Sequence, residues 1–488
     1  MQNLTMQLYT VAEIRAIERA AFQTYQLSAT DLMQRAGAQA WCCIQRHFSQ
    51  AHQLLIVCGG GNNAGDGYVL ARLAKLAEVD VHVYTVIDPK HLSGAAQQAY
   101  QHYVDINGRF TKFTDALPMC ADVIVDALLG TGLSRDVDDD YRLAIERINA
   151  SQCPVVALDI PSGLQADTGR VLGCAVHAQI TVTFIGLKQG LYTGQAKAYC
   201  GEIILASLDV PPDLLTSSAS TTSCLHRIAL PPRAAYAHKG HFGHVLIIGG
   251  DIGYSGAVKL AAEAALRVGA GLVSVATRTE HALFLNAHRP ELMCHGITSP
   301  AQLHALIARA DSVVLGPGLG QADWGQWVFA EALQCPKPMV IDADGLNLLA
   351  RQTLHKSTWI LTPHPGEAAR LLSVSTQAVE QDRFYAVKKL LAERGGVIIL
   401  KGSGTLIATA QGVNVATQGN PGMASGGMGD VLAGVIAGLV GQGLSLTEAA
   451  QQGVWLHATA ADSAAQQGGE RGLLASDLFP WLRQWVNQ

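Results

Sequence analysis

The 488-residue sequence has no long block of lysine or arginine, and its net charge is only -5. A nucleic-acid groove or an anionic membrane surface is therefore excluded as the main partner, and a small substrate is expected. There is no C-x-x-C pair and no Cys/His cluster at zinc spacing. The ten cysteines are scattered through apolar stretches and read as reduced core thiols of a cytoplasmic protein. The N-terminus lacks a basic segment followed by an apolar one, so no signal peptide is expected. The uncharged, apolar run 431 to 447 is broken by glycines and falls short of the roughly 20 apolar residues of a membrane span, so it is expected to form a buried helix. Also missing are a G-x-x-x-x-G-K-[ST] phosphate loop and a G-x-G-x-x-G dinucleotide fingerprint.

What is present is a rhythm. After roughly 50 residues with helical periodicity, short β-branched runs ("LLIVC", "VDVHVYTVI", "ADVIVDALLG", "PVVALDI", "ITVTFIG") alternate with helical stretches. This predicts an α/β fold with a doubly wound, Rossmann-like parallel sheet covered on both faces. "DVPPDLLTSSASTTSCLH", 209 to 226, carries neither period and reads as a linker. The alternation then restarts ("LVSVAT", "SVVLGPG", "PMVIDADG", "WILTPHPGE", "VIILKGSGT"), so a second α/β domain is expected. The boundaries are placed at 1–212 and 225–488.

In the first half three polar clusters directly follow strands: "GGGNNAGDG", "DALLGTGLSRD" and "LDIPSG". In open α/β sheets ligands sit beyond the carboxyl ends of strands, so the three are expected to converge. Asparagine amides beside a carboxylate suit a hard cation or a nicotinamide nucleotide. On these motifs, across residues 10 to 208, the chain resembles the YjeF family of NAD(P)H-hydrate epimerases. The resemblance implies that the hydrated cofactor is held by Asn62, Asn63, Ala64, Gly65 and Asp66, and by Gly130, Thr131, Gly132, Leu133, Ser134, Arg135 and Asp136, with Tyr141 nearby. It makes Asp159 the acid/base group and also a substrate contact, and gives Asn63, Asp126 and Ser162 a potassium ion. Ala64 stands where the family usually has glycine.

In the second half, "GGMGDVLAG" places Asp430 where a glycine turn opens a helix. Such a turn stabilises a transferring phosphoryl group, and an acid at its edge takes a proton from the attacking hydroxyl. Nearby backbone dipoles are expected to keep Asp430 ionised; the competing reading is an N-cap. "KGSGT" after a strand supplies a second phosphate contact. The set resembles the ribokinase-like superfamily, and the stretches 254–277 and 422–434 are similar to those of ADP-dependent NAD(P)H-hydrate dehydratases. This resemblance gives Lys401, Gly402, Ser403, Gly404, Thr405 and Gly429 to the nucleotide, Ala257, Gly318, His364 and Asp430 to the hydrate, and magnesium to the ADP. His364 could instead be a turn histidine satisfied by backbone. His238, His241 and His244 read as a solvated loop rather than a metal site, and the acids of "DADGLN", 342–347, as magnesium ligands or caps.

The two resemblances together imply an isomerase fused to a lyase that repairs hydrated NADH and NADPH. Its ADP-dependent step would act on the S form and release AMP and phosphate. Small molecules, not nucleic acid or membrane, are the expected partners, and a homo-oligomer is expected. The alternatives are a ribokinase-like small-molecule kinase fused to a Rossmann-like binding domain, and a first half that is a non-catalytic binding module.

Overall fold

The structure is a computed structural model; it describes residues 7–116, 118–216 and 220–488. The chain divides into two compact units, Met1–Ser223 and Cys224–Gln488.

The first unit is built on seven strands, all pairs parallel. Their order is Arg109–Lys112, Asp80–Thr85, Gln53–Cys58, Val123–Ala127, Val155–Leu158, Ile180–Phe184, Glu202–Ala206. Alternation of side chains along a strand explains the near-continuous apolar runs. Leu54, Ile56 and Cys58 pack with Ile44, Tyr68 and Val69 on one face of the sheet. Leu55 and Val57 pack with Ile145 and Ile148 on the other. The chain runs outward from Gln53–Cys58 in one direction and returns to Val123–Ala127 on its other side. The strand order therefore reverses between these two strands, and a crevice opens at their carboxyl ends.

The helices Val11–Tyr25 and Ala29–His47 begin with capping boxes, Thr10 with Glu13 and Ser28 with Asp31. Gln7–Tyr9 pairs antiparallel with Thr222–Cys224 and parallel with Leu187–Lys188. Part of the expected linker is thus structure: Pro212–Thr216 is a short helix and Thr222–Cys224 a strand, while 217–219 lie outside the described residues.

In the second unit nine strands follow the order Leu292–Gly296, Leu272–Thr277, His244–Ile248, Ser312–Leu315, Met339–Ile341, Trp359–Leu361, Val397–Leu400, Leu406–Thr409, Gly412–Val415. The first seven are mutually parallel, and the last two close antiparallel hairpins. The run 431 to 447 is not one helix. Met428–Gly441 ends at Gln442, and a new helix, Leu446–Gly468, starts from a Ser445–Glu448 capping box. The glycine spacing in the first of these has a packing cause. A Cβ on Gly434 would lie 2.9 Å from Ala261 Cα, and one on Gly438 3.1 Å from Ala265 Cα, so bare backbone lets this helix lie directly on Ser255–Arg267.

Among the described residues no helix is long and apolar enough to cross a membrane. All ten cysteines are free, and Cys42 and Cys120 are exposed rather than in the core. His238 and His241 stack at 3.8 Å in the open, and His244 bonds Ser274 at 2.8 Å. No His, Cys, Asp and Glu cluster able to hold a metal occurs among the described residues.

Candidate functional site

At the reversal of strand order in the first unit lies a cleft of about 870 Å³. It is lined by Asn62, Asn63 and Asp66, by the loop from Gly130 to Arg135, and by Tyr141 and Asp159. The three strand-end clusters therefore do converge. Tyr141 accepts a hydrogen bond from the Gly60 N–H at 3.1 Å, tying two walls together. Asp136 is not among the lining residues, and Ala64 and Gly65 are buried in the packing of the helix Asn62–Leu76.

Asp159 follows its strand with φ of 65°, a left-handed conformation that non-glycine residues rarely adopt and that concentrates at functional sites. Its carboxylate is ion-paired with Lys188, a 1 % exposed lysine that also donates to Phe184 O at 2.8 Å and Thr183 Oγ1 at 3.1 Å. Asp66, which also lines the cleft, is pushed well above the usual carboxylate range by burial and then by Asp159. Burial likewise raises Glu18, another lining residue.

Behind the cleft Asp126 is fully buried. Ser162 donates to it through both its N–H (2.8 Å) and its hydroxyl (2.6 Å), and Leu128 N–H adds a third bond at 3.2 Å. Burial nevertheless pushes Asp126 up to about 6, against those hydrogen bonds. Asn63 donates to Leu129 O at 3.1 Å, while its own buried Oδ1 has no hydrogen-bond partner. An orphaned amide oxygen beside a buried carboxylate and a hydroxyl is a donor set that a cation satisfies.

In the second unit the ends of neighbouring strands assemble a charged cluster. Lys401 Nζ lies 2.7 Å from Asp342 Oδ1 and 3.7 Å from Glu367 Oε2. Thr362 donates to the same Asp342 oxygen at 2.8 Å. A Cβ on Gly429 would sit 3.2 Å from Lys401 Nζ and 3.3 Å from Asp342 Oδ2, so the glycine turn lies against this pair. The helix cap is Gly427, with φ of 88° and no side-chain capping bond. Asp430, three residues on, is therefore not an N-cap.

Nor do backbone dipoles hold Asp430 in the ordinary carboxylate range. Burial, followed by the nearby Asp342, pushes it up to about 7 in spite of Lys401. Burial also raises Glu367 to about 7. Ala257 and Gly318 adjoin, since a Cβ on Gly318 would be 3.2 Å from that of Ala257. His364 does cap its helix: Nδ1 accepts from Gly366 N–H at 3.0 Å, and its own N–H donates to Glu367 at 2.8 Å. Its ring is half exposed beside the cluster, and burial and then Lys401 lower its pKa. Thr405 closes the "KGSGT" turn through Gly402 O at 3.0 Å, and Arg383 braces it by donating to Lys401 O at 3.1 Å.

Glu367, Lys188 and Glu18 carry no motif that marks them in the sequence, and Asp342 is marked only as one of the acids of "DADGLN", read as magnesium ligands or caps. The available signal for Lys188 was a lone charge in "TVTFIGLKQG". For Asp342 and Lys401 it was that both terminate apolar strands.

Two open α/β sheets, each with a partly buried lysine–carboxylate pair beyond its strand ends, define an enzyme with two small-molecule sites. Family models agree with that division: one described as YjeF-related protein N-terminus matches residues 29–190, and one described as NAD(P)H-hydrate dehydratase matches 245–483. A bifunctional NAD(P)H-hydrate repair enzyme of Coxiella burnetii is 49% identical over 485 residues, 98% of this chain and 99% of the relative. Its counterpart from Escherichia coli is 43% identical over 483 residues, 97% and 93% of the respective chains. A crystal structure of the ADP/ATP-dependent NAD(P)H-hydrate dehydratase of Bacillus subtilis, grown with ATP and Mg2+, is 30% identical, with a TM-score of 0.48. It covers 52% of this chain and 93% of its own. The chain belongs to the family of bifunctional NAD(P)H-hydrate repair enzymes.

Proposed function

We propose that the first unit interconverts the R and S hydrates of NADH and NADPH and that the second removes water from the S form at the expense of ADP. The observation that carries this reading is that each sheet has its own carboxylate–lysine site, in a chain alignable end to end with bifunctional repair enzymes.

In the hydrate the hydroxyl-bearing carbon lies next to the ring nitrogen, whose lone pair can expel the hydroxyl as water once it is given a proton; water then adds back to either face of the resulting iminium carbon and returns the proton. Asp159 is the group that moves the proton, and the Lys188 ammonium fixes its carboxylate. Asp66, whose carboxyl burial pushes well above the usual range, lines the same space. Asn63, Asp126 and Ser162 would hold potassium, whose charge would draw the three strand ends together and favour the ionised form of Asp126.

In the second site hydroxide is a poor leaving group. Asp430 takes the hydroxyl proton, the oxygen attacks the β-phosphoryl of ADP, and AMP departs. The C–O bond then breaks with the ring nitrogen's lone pair, phosphate leaves, and a proton is lost from the adjacent carbon to restore the dihydronicotinamide. The Gly429 turn and Lys401 stabilise the charge on the transferring group. Magnesium would come with the nucleotide's phosphates and offset their charge, with Asp342, one of the acids of "DADGLN", as the residue that would help hold it. A cytoplasmic location accords with ten cysteines that form no disulfide.

The test is to mix purified protein with hydrated NADH, with and without ADP, and follow the absorbance of the restored dihydronicotinamide. Recovery that does not need ADP or ATP would sink the reading. So would a phosphorylated hydrate that accumulates without going on to NADH.

A further inference from the structure

Outside both sites the second unit carries a pocket of about 420 Å³ lined by Gln321, Asn347, Ala350, Arg351 and Arg370. Its chemistry is organised by one carboxylate. Asp344 accepts from Gly320 N–H at 3.0 Å, from the Gln321 amide at 3.2 Å and from the Asn347 amide at 3.2 Å. Those bonds fix which way the two amides point. The Gln321 carbonyl oxygen then accepts from Arg351 Nη2 at 2.7 Å, and the Asn347 carbonyl oxygen from Arg370 Nε at 2.9 Å. Both guanidinium groups are exposed, and the terminal nitrogens of Arg370 donate to no described residue. Two arginines thus line one pocket with unused donors, and the Asp344 oxygens are occupied by other donors. Planar forks fixed in this way match phosphate oxygens, and the entropy of ordering them has already been spent in folding.

Position says whose phosphate. Gln321 follows the loop of Gly318, Asn347 lies in the helix after Asp342, and Arg370 is on the helix capped by His364. The three segments come from three adjacent parallel strands, Ser312–Leu315, Met339–Ile341 and Trp359–Leu361. The pocket therefore continues the carboxyl-end rim from the residues assigned to the hydrate, not from the "KGSGT" turn assigned to the nucleotide. We propose that Arg351 and Arg370 form an anion subsite that binds a phosphate group of the hydrated dinucleotide during dehydration. This rests on the functional reading above and deepens it.

The experiment compares the wild type with the double variant Arg351→Gln/Arg370→Gln, using ADP and the S hydrates of NADPH and NADH in separate assays. Near-UV circular dichroism should be unchanged, because both side chains are exposed. The expected result is a fall in kcat/KM for the hydrate of roughly 10-fold or more, carried by KM, with KM for ADP unchanged. A loss confined to the NADPH hydrate identifies the 2′-phosphate, and an equal loss with both hydrates the pyrophosphate. Arg370→Lys alone should retain part of the effect. Unaltered hydrate constants, or a rise only in KM for ADP, overturn the subsite while leaving the functional reading intact. A variant with unaltered hydrate constants that only loses sensitivity to added inorganic phosphate shows a free-anion site, and overturns the proposal as well. A wild type inactive on both hydrates overturns the functional reading and the subsite with it.

Discussion

Buried carboxyls that resist ionisation set the chemistry of single residues here. Asp430 is pushed up to about 7 by burial and its acidic neighbours, against about 3.9 for a free aspartate. It binds its proton more tightly in the folded chain than in the unfolded one. The resulting stability is fully present below the unfolded value and is lost as pH rises through about 7. Asp430→Asn is therefore expected to leave nucleotide affinity in place and to lower dehydration by on the order of 10²-fold, the scale of losing a general base. Discounted for its partial exposure, the charge costs about 1 kcal/mol, so the variant should melt roughly 2–4 °C higher than wild type at pH 8 and show no gain at pH 4. In the wild type kcat/KM for dehydration should rise with pH through about 7; a flat profile there removes Asp430 as the base. Lys188→Met, by taking the cation from Asp159, should slow epimerisation by about 10-fold or more and leave dehydration of the pure S hydrate unchanged. Equal damage to both reactions, read by following each separately, would point to misfolding instead.

At the scale of elements the seam is the informative region. Thr222–Cys224 pairs with Gln7–Tyr9, and Ser220 Oγ donates to Leu8 O at 2.5 Å, so a fragment cut at 212 loses a strand that the first unit uses. Residues 1–223 and 224–488 should each fold alone and keep one partial reaction, whereas 1–212 should unfold at lower urea than 1–223. Equal midpoints for the two N-terminal fragments would show that this pairing contributes nothing. The strands and the glycine turns after them were legible because apolar runs bounded by glycine leave few alternatives, and the convergence of "GNNAGDG", "DALLGTG" and "DIPSG" follows from parallel topology alone. The break at Gln442–Ser445 was hidden by an uncharged run, although the Ser445–Glu448 capping signal was there to be read. Lys188, and the pairing of Asp342 with Lys401, were illegible for a different reason. Lys188 meets Asp159 across 29 positions and Lys401 meets Asp342 across 59, and no local pattern announces a pair made by tertiary folding. The raised pKa of Asp430 comes first from burial and then from Asp342, both products of tertiary folding, so the turn's own backbone did not reveal its electrostatic environment.

For the whole molecule, the joining of two sites in one chain answers a stereochemical problem. A chiral pocket that eliminates water from the S hydrate leaves the R hydrate untouched, and only an epimerase lets the pool drain through one exit. Asp159 and Asp430 belong to different units, so their losses should separate cleanly. With an equilibrium mixture of epimers and ADP, Asp159→Ala is expected to restore NADH rapidly up to the S fraction and then to stop, apart from the slow uncatalysed drift between forms. Adding the isolated 1–223 fragment should restart the reaction, because the epimers can diffuse between proteins. Replacing potassium with a larger organic cation should impose the same plateau on the intact enzyme, since the Asn63 oxygen and the Asp126 carboxylate would lose the ion that reconciles their burial. If Asp159→Ala instead consumes both epimers at the wild-type rate, the first cleft is not the epimerase, and its buried lysine–carboxylate pair serves some other reaction.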